Sequence, residues 1–167
     1  MRNQRRAHEQ TAAGWDIVAE QKYKAEFAQH VDHLRAGGHN LLDVELEIIG
    51  DHLSGTHVVH LQCSHGFDVL GFLNLGARSV MGIDISHHMI EQARAKAAAF
   101  RPGLATFVVA DAVDLPAELD SSADLVYTGR GALSWLLDLA AWAASVHRLL
   151  KPADSVVLES KPGRATA

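Results

Sequence analysis

Two carboxylates and two glycine-bearing turns stand where apolar segments end, and together they could bind a ligand that carries hydroxyl and amino groups. The turn Gln62–Gly66 follows the apolar run Val58–Leu61, Asp84 and Asp111 end two later runs, and Gly129–Gly131 follows a fourth. Asp84 lies about 20 residues beyond the first turn, where an acid can accept hydrogen bonds from ribose hydroxyls. Asp111 could accept a hydrogen bond from the exocyclic amine of adenine.

The first turn connects a predicted buried strand to a predicted helix. Such a turn offers backbone N–H groups and a helix N-terminus to the polar part of a ligand. Gly66 allows the backbone to approach closely, but a dinucleotide fingerprint G-x-G-x-x-G needs more glycines than this turn has. The turn therefore disfavours an NAD-dependent enzyme. A plain strand-to-helix turn, with Cys63 as a small buried hydrophobe, explains the turn alone equally well.

Each acid also has a purely structural interpretation. Asp84 could cap the helix that follows it, but Ser86 is available for that role, so we favour the ribose role for Asp84. Asp111 could simply begin a turn, as aspartate often does.

Apolar runs alternate with helical patterns along the chain, which predicts right-handed βαβ units and a parallel sheet with helices on both faces. The predicted strands are Thr56–Cys63, Arg78–Asp84, Ala105–Ala110, Asp124–Thr128 and Ser155–Glu159. The predicted helices are Gly14–Leu34, Leu41–Leu53, Gly66–Leu75, Ser86–Phe100 and Leu133–Leu150, the last capped by Ser134. We expect the polar first dozen residues to be loose. We expect one compact unit, with a helical cap over residues 1–54 and an α/β domain over residues 55–167.

Composition excludes several classes of protein. The 167 residues suggest about one domain. The net charge of −5 argues against a nucleic-acid binder. The single cysteine, Cys63, excludes an internal disulfide and a cysteine-rich zinc site. No apolar run is long enough for a membrane span and no signal peptide is evident, so we expect no membrane association and a cytoplasmic location.

Five segments together resemble class I S-adenosylmethionine-dependent methyltransferases over Trp15–Glu159. They are His60–Cys63 with Gly66, Gly82–Ser86, Asp111 with Asp114–Pro116, Asp124–Leu133, and Leu149–Pro152. A branch of small-molecule methyltransferases has a similar H-L-Q-C first motif and a similar D-L-V-Y-T-x-x-G-A-L segment. The resemblance implies a doubly wound, Rossmann-like and mostly parallel sheet, S-adenosylmethionine as cofactor, S-adenosylhomocysteine as product and a small-molecule acceptor.

The resemblance also implies roles for particular residues. The implied cofactor contacts are Gln62, Cys63, Ser64, Gly66, Asp84, Ile85, Met89, Asp111, Ala112 and Thr128. The first turn would hold the methionine part, largely through backbone atoms, and the two acids would hold the ribose and the adenine edge. Thr128 would lie near the transferred methyl. Trp15 and Tyr23 resemble aromatics that close over the cofactor, although a buried helix stripe explains them equally well.

The chain departs from the family at several places. Gln62 and Ser64 replace the usual glycines, and His60 stands where an acid is usual. Relatives continue beyond the fifth strand with another helix and a strand pair, so we expect five strands here and a doubtful acceptor site. An open edge on the fifth strand would expose unpaired backbone groups, which predicts a homo-oligomer through Ser155–Glu159.

The 11 histidines form no convincing metal-ligand pattern, and we expect no metal. His60, His65 or His87 could act as a general base, but solvent-facing or hydrogen-bonded imidazoles explain them more simply. No catalytic residue is assigned. The sequence favours methyl transfer from S-adenosylmethionine to a small molecule. The alternative is a non-catalytic module that binds the cofactor or forms oligomers and lacks the usual C-terminal acceptor-binding region.

Overall fold

A computed structural model describes residues 2–152 and 156–159 and contains a parallel β-sheet. The strands are β1 (His57–Leu61), β2 (Ser79–Asp84), β3 (Ala105–Val109), β4 (Leu125–Thr128) and β5 (Val156–Glu159), in the order β3-β2-β1-β4-β5. The first four strands form the body of the sheet, and β5 pairs with β4 through its backbone. The expectation of a doubly wound α/β fold with a parallel sheet is confirmed.

Helices cover both faces of this sheet. They are α1 (Arg2–Val18), α2 (Phe27–Arg35), α3 (Asp43–Ile49), α4 (Phe67–Gly71), α5 (His87–Phe100) and α6 (Leu139–Leu149). A π-helical turn, Ala19–Tyr23, follows α1, and short 3₁₀ turns are Gly50–Leu53, Ala117–Leu119 and Ala132–Trp135. Within the described residues, no helix is both long and apolar enough to cross a membrane.

Alternate side chains along the strands belong to two apolar cores, one on each face of the sheet. Val58 belongs to the core shared with α2, α4 and α5, whereas Val59 belongs to the core shared with α6. Neighbouring strand residues point to opposite faces, so both faces of a central strand must be apolar. This arrangement explains the continuous apolar run that the sequence shows in β1.

Three predictions about the helical regions are wrong. The helix predicted over Gly14–Leu34 is divided between α1 and α2 by the π-helical turn Ala19–Tyr23 and by a turn at residues 24–26. The first dozen residues are not loose, because α1 begins at Arg2 and its polar side chains pair with the sheet domain. The last helix does not start at Leu133 with Ser134 as its cap. Asp138 caps α6 instead, accepting a hydrogen bond from the Ala141 amide at 2.9 Å, while the Ser134 hydroxyl donates to the Gly131 carbonyl.

Three expectations have no test in this structure. The division into a cap of residues 1–54 and a domain of residues 55–167 stays a prediction, and so does oligomer formation through the edge formed by β5. Ser155, with which the fifth strand was predicted to begin, lies outside the described residues.

The turn after β1 adopts left-handed backbone conformations at the two positions where the family resemblance implies glycine. Gln62 has φ = 57° and Ser64 has φ = 51°. A side chain in this region costs roughly 1–2 kcal/mol, whereas glycine adopts it freely. The turn therefore keeps its shape in this chain at the cost of backbone strain.

Replacing Ser64 by glycine should relieve this strain. We expect Ser64→Gly to raise the free energy of unfolding by about 0.5–1 kcal/mol, net of the extra flexibility of the unfolded chain. Ser54, an exposed loop residue at φ = −62°, is the matched control, and Ser54→Gly should lower the same quantity. Urea denaturation measures both, and equal shifts in the two variants would contradict the strain at Ser64.

Candidate functional site

A pocket of about 230 Å³ lies at the carboxyl edge of the sheet. In parallel sheets the loops that follow the strands meet at this edge, and open α/β folds bind ligands there. Its described lining residues come from these loops, from α5 and from the N-terminal helices. They are His8, Thr11, Trp15, Tyr23, Gln62, Ser64, Asp84, Ile85, Met89, Ala110, Asp111, Ala112, Arg130, Gly131, Ala132, Trp135 and Leu136.

The carboxylate of Asp84 joins the first two loops. One oxygen accepts a hydrogen bond from the Ser64 amide at 2.8 Å, and the other accepts from the Ser86 amide at 2.9 Å. Burial raises the pKa of Asp84 above its usual value, although these two amides act in the opposite direction. Each carboxylate oxygen can accept a further hydrogen bond, so Asp84 can hold the loops and still bind a ligand hydroxyl.

Gln62 connects the first loop to the loop after β4. Its side-chain amide nitrogen donates to the Ala132 carbonyl at 2.9 Å. Its side-chain carbonyl oxygen is buried and has no hydrogen-bond partner in the described part of the chain. Buried polar atoms are normally paired, so this oxygen is available to a donor on a ligand.

The N-terminal helix α1 borders the pocket and is fixed at several points. The Ser86 hydroxyl donates to Asp16 at 2.5 Å, and the His88 amide donates to the same oxygen at 3.1 Å. The Trp15 ring meets Trp135 edge-on, with ring centroids 5.3 Å apart. Residues of α1, which lie far from the strand ends in sequence, therefore form a wall of the pocket together with the 3₁₀ turn after β4.

Arg130 borders the pocket and carries a positive charge whose position is well defined. Its guanidinium donates to the Asn40 carbonyl at 3.0 Å and lies 3.4 Å from an oxygen of Asp68. The buried carboxylate of Glu45 lies 3.9 Å away and accepts a hydrogen bond from the Tyr127 hydroxyl. These contacts fix the loop after β4 against the segment around α3.

The structure brings seven of the ten predicted cofactor contacts to the pocket. They are Gln62, Ser64, Asp84, Ile85, Met89, Asp111 and Ala112. Their role in binding a cofactor stays a prediction, because no ligand contact tests it. The remaining three, Cys63, Gly66 and Thr128, are not among the described lining residues.

Those three residues have structural surroundings of their own. A Cβ atom on Gly66 would lie 2.6 Å from the Cβ of Ala93, so glycine allows α4 to pack against α5. Cys63 is buried, and burial raises the pKa of its thiol well above the usual value, which keeps the thiol protonated. Thr128 is fully buried at the end of β4.

The histidines considered as general bases do not line the pocket. Neither His60, His65 nor His87 is among the described lining residues. Burial lowers the pKa of His60 to about 3, so this imidazole is neutral. In the part of the chain that the structure describes, no group of three or more histidine, cysteine or acidic residues could hold a metal ion.

Sequence reasoning missed His8, Arg130 and Trp135 as pocket residues. His8 was not predicted as a pocket residue because the first dozen residues were expected to be loose. The spacing of His8, Thr11 and Trp15 places them on one face of a helix, and this pattern could have identified the helix and its pocket-facing side. Arg130 lies in the turn Gly129–Gly131 that the sequence indicated for ligand binding, but its side chain was given no role, and Trp135 carries no comparable local signal.

A buried lysine lies beneath the N-terminal helices. Lys96 of α5 donates to the His65 carbonyl at 3.1 Å and lies 5.7 Å from the centroid of the Phe27 ring. Burial lowers the pKa of Lys96 to about 8, while the negative charge of Glu26 acts in the opposite direction. An unfolded lysine has a pKa of about 10.4, so between pH 8 and 10 the unfolded chain binds the proton more strongly.

Stability should therefore rise with pH through this window because of Lys96. We expect the free energy of unfolding of the wild type to gain about 2 kcal/mol relative to Lys96→Met between pH 8 and pH 10. The exposed Lys24 gives the matched control, and Lys24→Met should follow the wild-type curve. Urea denaturation across this pH range measures the effect, and parallel curves for wild type and Lys96→Met would contradict it.

The fold and the pocket define a doubly wound α/β domain whose candidate ligand site lies at the carboxyl edge of its sheet. A family model described as a methyltransferase domain matches residues 58–153, which is more than half of the chain. The chain belongs to this methyltransferase-domain family. The family assignment does not test the branch with the H-L-Q-C motif. No curated protein matches the chain.

Three solved structures illustrate the similarity. An S-adenosylmethionine-dependent methyltransferase from Mesorhizobium loti is 30% identical, with 65% of this chain and 48% of that chain covered and a TM-score of 0.55. A structure described by the conversion of a disulfide bond into a thioacetal group during echinomycin biosynthesis is 36% identical, with coverages of 68% and 48% and a TM-score of 0.56. Phosphoethanolamine N-methyltransferase from Haemonchus contortus, solved with phosphoethanolamine and S-adenosylhomocysteine, is 20% identical, with coverages of 96% and 34% and a TM-score of 0.65.

The third similarity shows the fold alone, because the identity is low. The chain spans about half the length of each of the first two structures, since 48% of each is covered.

Proposed function

We propose that this chain binds S-adenosylmethionine in the pocket at the carboxyl edge and transfers its methyl group to a small-molecule acceptor. One observation carries the proposal. Asp84 and Asp111, the acids at the ends of β2 and β3, border the same pocket as Gln62 and Ser64 of the first turn. These are the positions at which the family resemblance implies contacts to the ribose, the adenine and the methionine part. Membership of the methyltransferase-domain family supports the same reading.

The donor and acceptor groups of the pocket suit this cofactor. Asp84 offers carboxylate oxygens to ribose hydroxyls, and the unpaired side-chain oxygen of Gln62 can accept a hydrogen bond from an ammonium group. Ile85 gives an apolar surface for a base, and Met89 adds a second apolar contact. These residues would hold the cofactor, which supplies a methyl group already activated by a sulfonium.

The remaining work of the protein is positioning and exclusion of water. Trp15, Tyr23 and Trp135 border the pocket as aromatic side chains, and aromatic faces attract cations such as a sulfonium. An in-line displacement depends on holding the acceptor close to the methyl group in the correct direction. Arg130, held by its contacts to Asp68 and to the Asn40 carbonyl, gives the pocket a fixed hydrogen-bond donor for an acceptor molecule.

A second candidate function is cofactor binding without methyl transfer. It is favoured by the position of His60, His65 and His87, none of which is among the described residues that border the pocket. An acceptor that must lose a proton would find none of these three imidazoles beside it, and the one histidine among the described lining residues, His8, is paired with Asp111. A cofactor-binding or oligomer-forming module would need no such base.

Two measurements separate these candidates. Calorimetric titration with S-adenosylmethionine, S-adenosylhomocysteine and NAD should give binding of the first two only. A turnover assay with a panel of small hydroxyl, amine and thiol acceptors should then yield S-adenosylhomocysteine. Binding without turnover on any acceptor would favour the non-catalytic module, and absence of binding would reject both candidates.

Asp84 gives the sharpest test of the proposed cofactor site. A hydrogen bond to a charged group contributes about 1.5–3 kcal/mol, so Asp84→Ala should weaken binding of S-adenosylmethionine by roughly ten- to a hundredfold. Asp124, which precedes β4 at the opposite edge of the sheet, is the matched control, because it bonds to His57 and Lys151 instead. Asp124→Asn should bind as the wild type does. An unchanged affinity in folded Asp84→Ala would reject the ribose role.

A further inference from the structure

A histidine of α1 is paired with one of the two acids of the pocket. His8 is only 7% exposed and borders the pocket, and its Nδ1 atom lies 2.5 Å from Oδ2 of Asp111. The two residues are 103 positions apart in the chain. Their contact connects the N-terminal helix directly to the loop that follows β3.

The contact fixes the direction of hydrogen bonding in the imidazole. An ionised carboxylate can only accept hydrogen bonds, so Nδ1 of His8 carries a hydrogen and donates a hydrogen bond to Asp111. The other ring nitrogen, Nε2, is buried and has no hydrogen-bond partner among the described residues. An unpaired buried polar atom is uncommon in proteins and calls for an explanation in function.

The same contact fixes the orientation of Asp111. Its Oδ2 atom receives the bond from His8, and its Oδ1 atom receives a bond from the Val113 amide at 3.2 Å. Each oxygen can accept one more hydrogen bond, and the side chain is 26% exposed. The carboxylate is thus held in place and can still accept a hydrogen bond from a donor group on a ligand. It repels any ligand atom that is itself a hydrogen-bond acceptor.

We propose that His8 is a positioning residue that holds the Asp111 carboxylate for recognition of an exocyclic amine, so that the pocket selects a 6-aminopurine over a 6-oxopurine. This inference rests on the proposed cofactor site, and it assigns to α1 a part in choosing the base. An amine presents hydrogens to the fixed carboxylate. A 6-oxo group presents an oxygen, which the carboxylate repels.

The test compares two ligands that differ in the 6-substituent of the base and in the hydrogen that the 6-oxopurine carries on the neighbouring N1. S-adenosylhomocysteine carries the 6-amino group, and S-inosylhomocysteine carries an oxygen there. The proteins are the wild type, His8→Ala, His8→Asn and the control Gln10→Ala, an exposed position of the same helix. Calorimetry gives the two dissociation constants for each protein, and thermal unfolding checks that each one is folded.

We expect the wild type to bind the adenosyl ligand at least about tenfold more tightly than the inosyl ligand. His8→Ala should bind the adenosyl ligand about tenfold more weakly and lose most of this preference, because Asp111 is no longer held. His8→Asn should recover much of the preference, since its amide can donate from near the position of Nδ1. Gln10→Ala should match the wild type.

Three results would overturn the inference. Tighter binding of S-adenosylhomocysteine by His8→Ala would mean that His8 competes with the ligand for Asp111. Equal weakening for both ligands, with the preference unchanged, would leave His8 a purely structural role. In either case the proposed function would stand, because S-adenosylhomocysteine still binds. A wild type that binds neither ligand would overturn both the inference and the proposed function.

Discussion

The buried carboxylate of Asp84 is the contact on which the arrangement of the pocket depends. Its two oxygens accept hydrogen bonds from the amides of Ser64 and Ser86, which belong to the loops after β1 and β2. Burying a carboxylate is costly unless hydrogen bonds replace its water. Both loops must therefore remain where their amides meet Asp84, and the turn keeps its left-handed residues despite their strain.

The same interaction extends to the N-terminal helix through Ser86. The Ser86 hydroxyl accepts a hydrogen bond from the Met89 amide and so caps α5, and it donates to Asp16 of α1. Since Asp16 also accepts from the His88 amide, α1 is held at the start of α5. The position of α1 then brings His8 to Asp111. Two acids of the pocket are in this way connected through one helix.

The sheet could be predicted from the sequence because each strand has a local sequence pattern. Apolar runs bounded by glycine and proline gave β1 to β4 to within a few residues, and Asp84 and Asp111 followed from their places at strand ends. Apolar runs do not reveal the start of α1: its signal is the helical spacing of His8, Thr11 and Trp15, and the partners of its polar residues lie 70 or more positions away. Asp138 was not predicted as the cap because the capping position depends on where the helical backbone of α6 begins. The 3₁₀ turn between β4 and α6 has no strong sequence pattern that would indicate this start.

The two walls of the pocket are therefore positioned by different kinds of interaction. One wall consists of strand-end loops, whose residues are fixed by the sheet and can be identified by motif. The other wall is formed by α1, and only tertiary contacts such as that between Trp15 and Trp135 bring this helix to the loop after β4. Under the proposed function, the first wall serves the cofactor. The second wall can vary without disturbing the sheet, which is why a sequence motif assigns the cofactor far more readily than the acceptor.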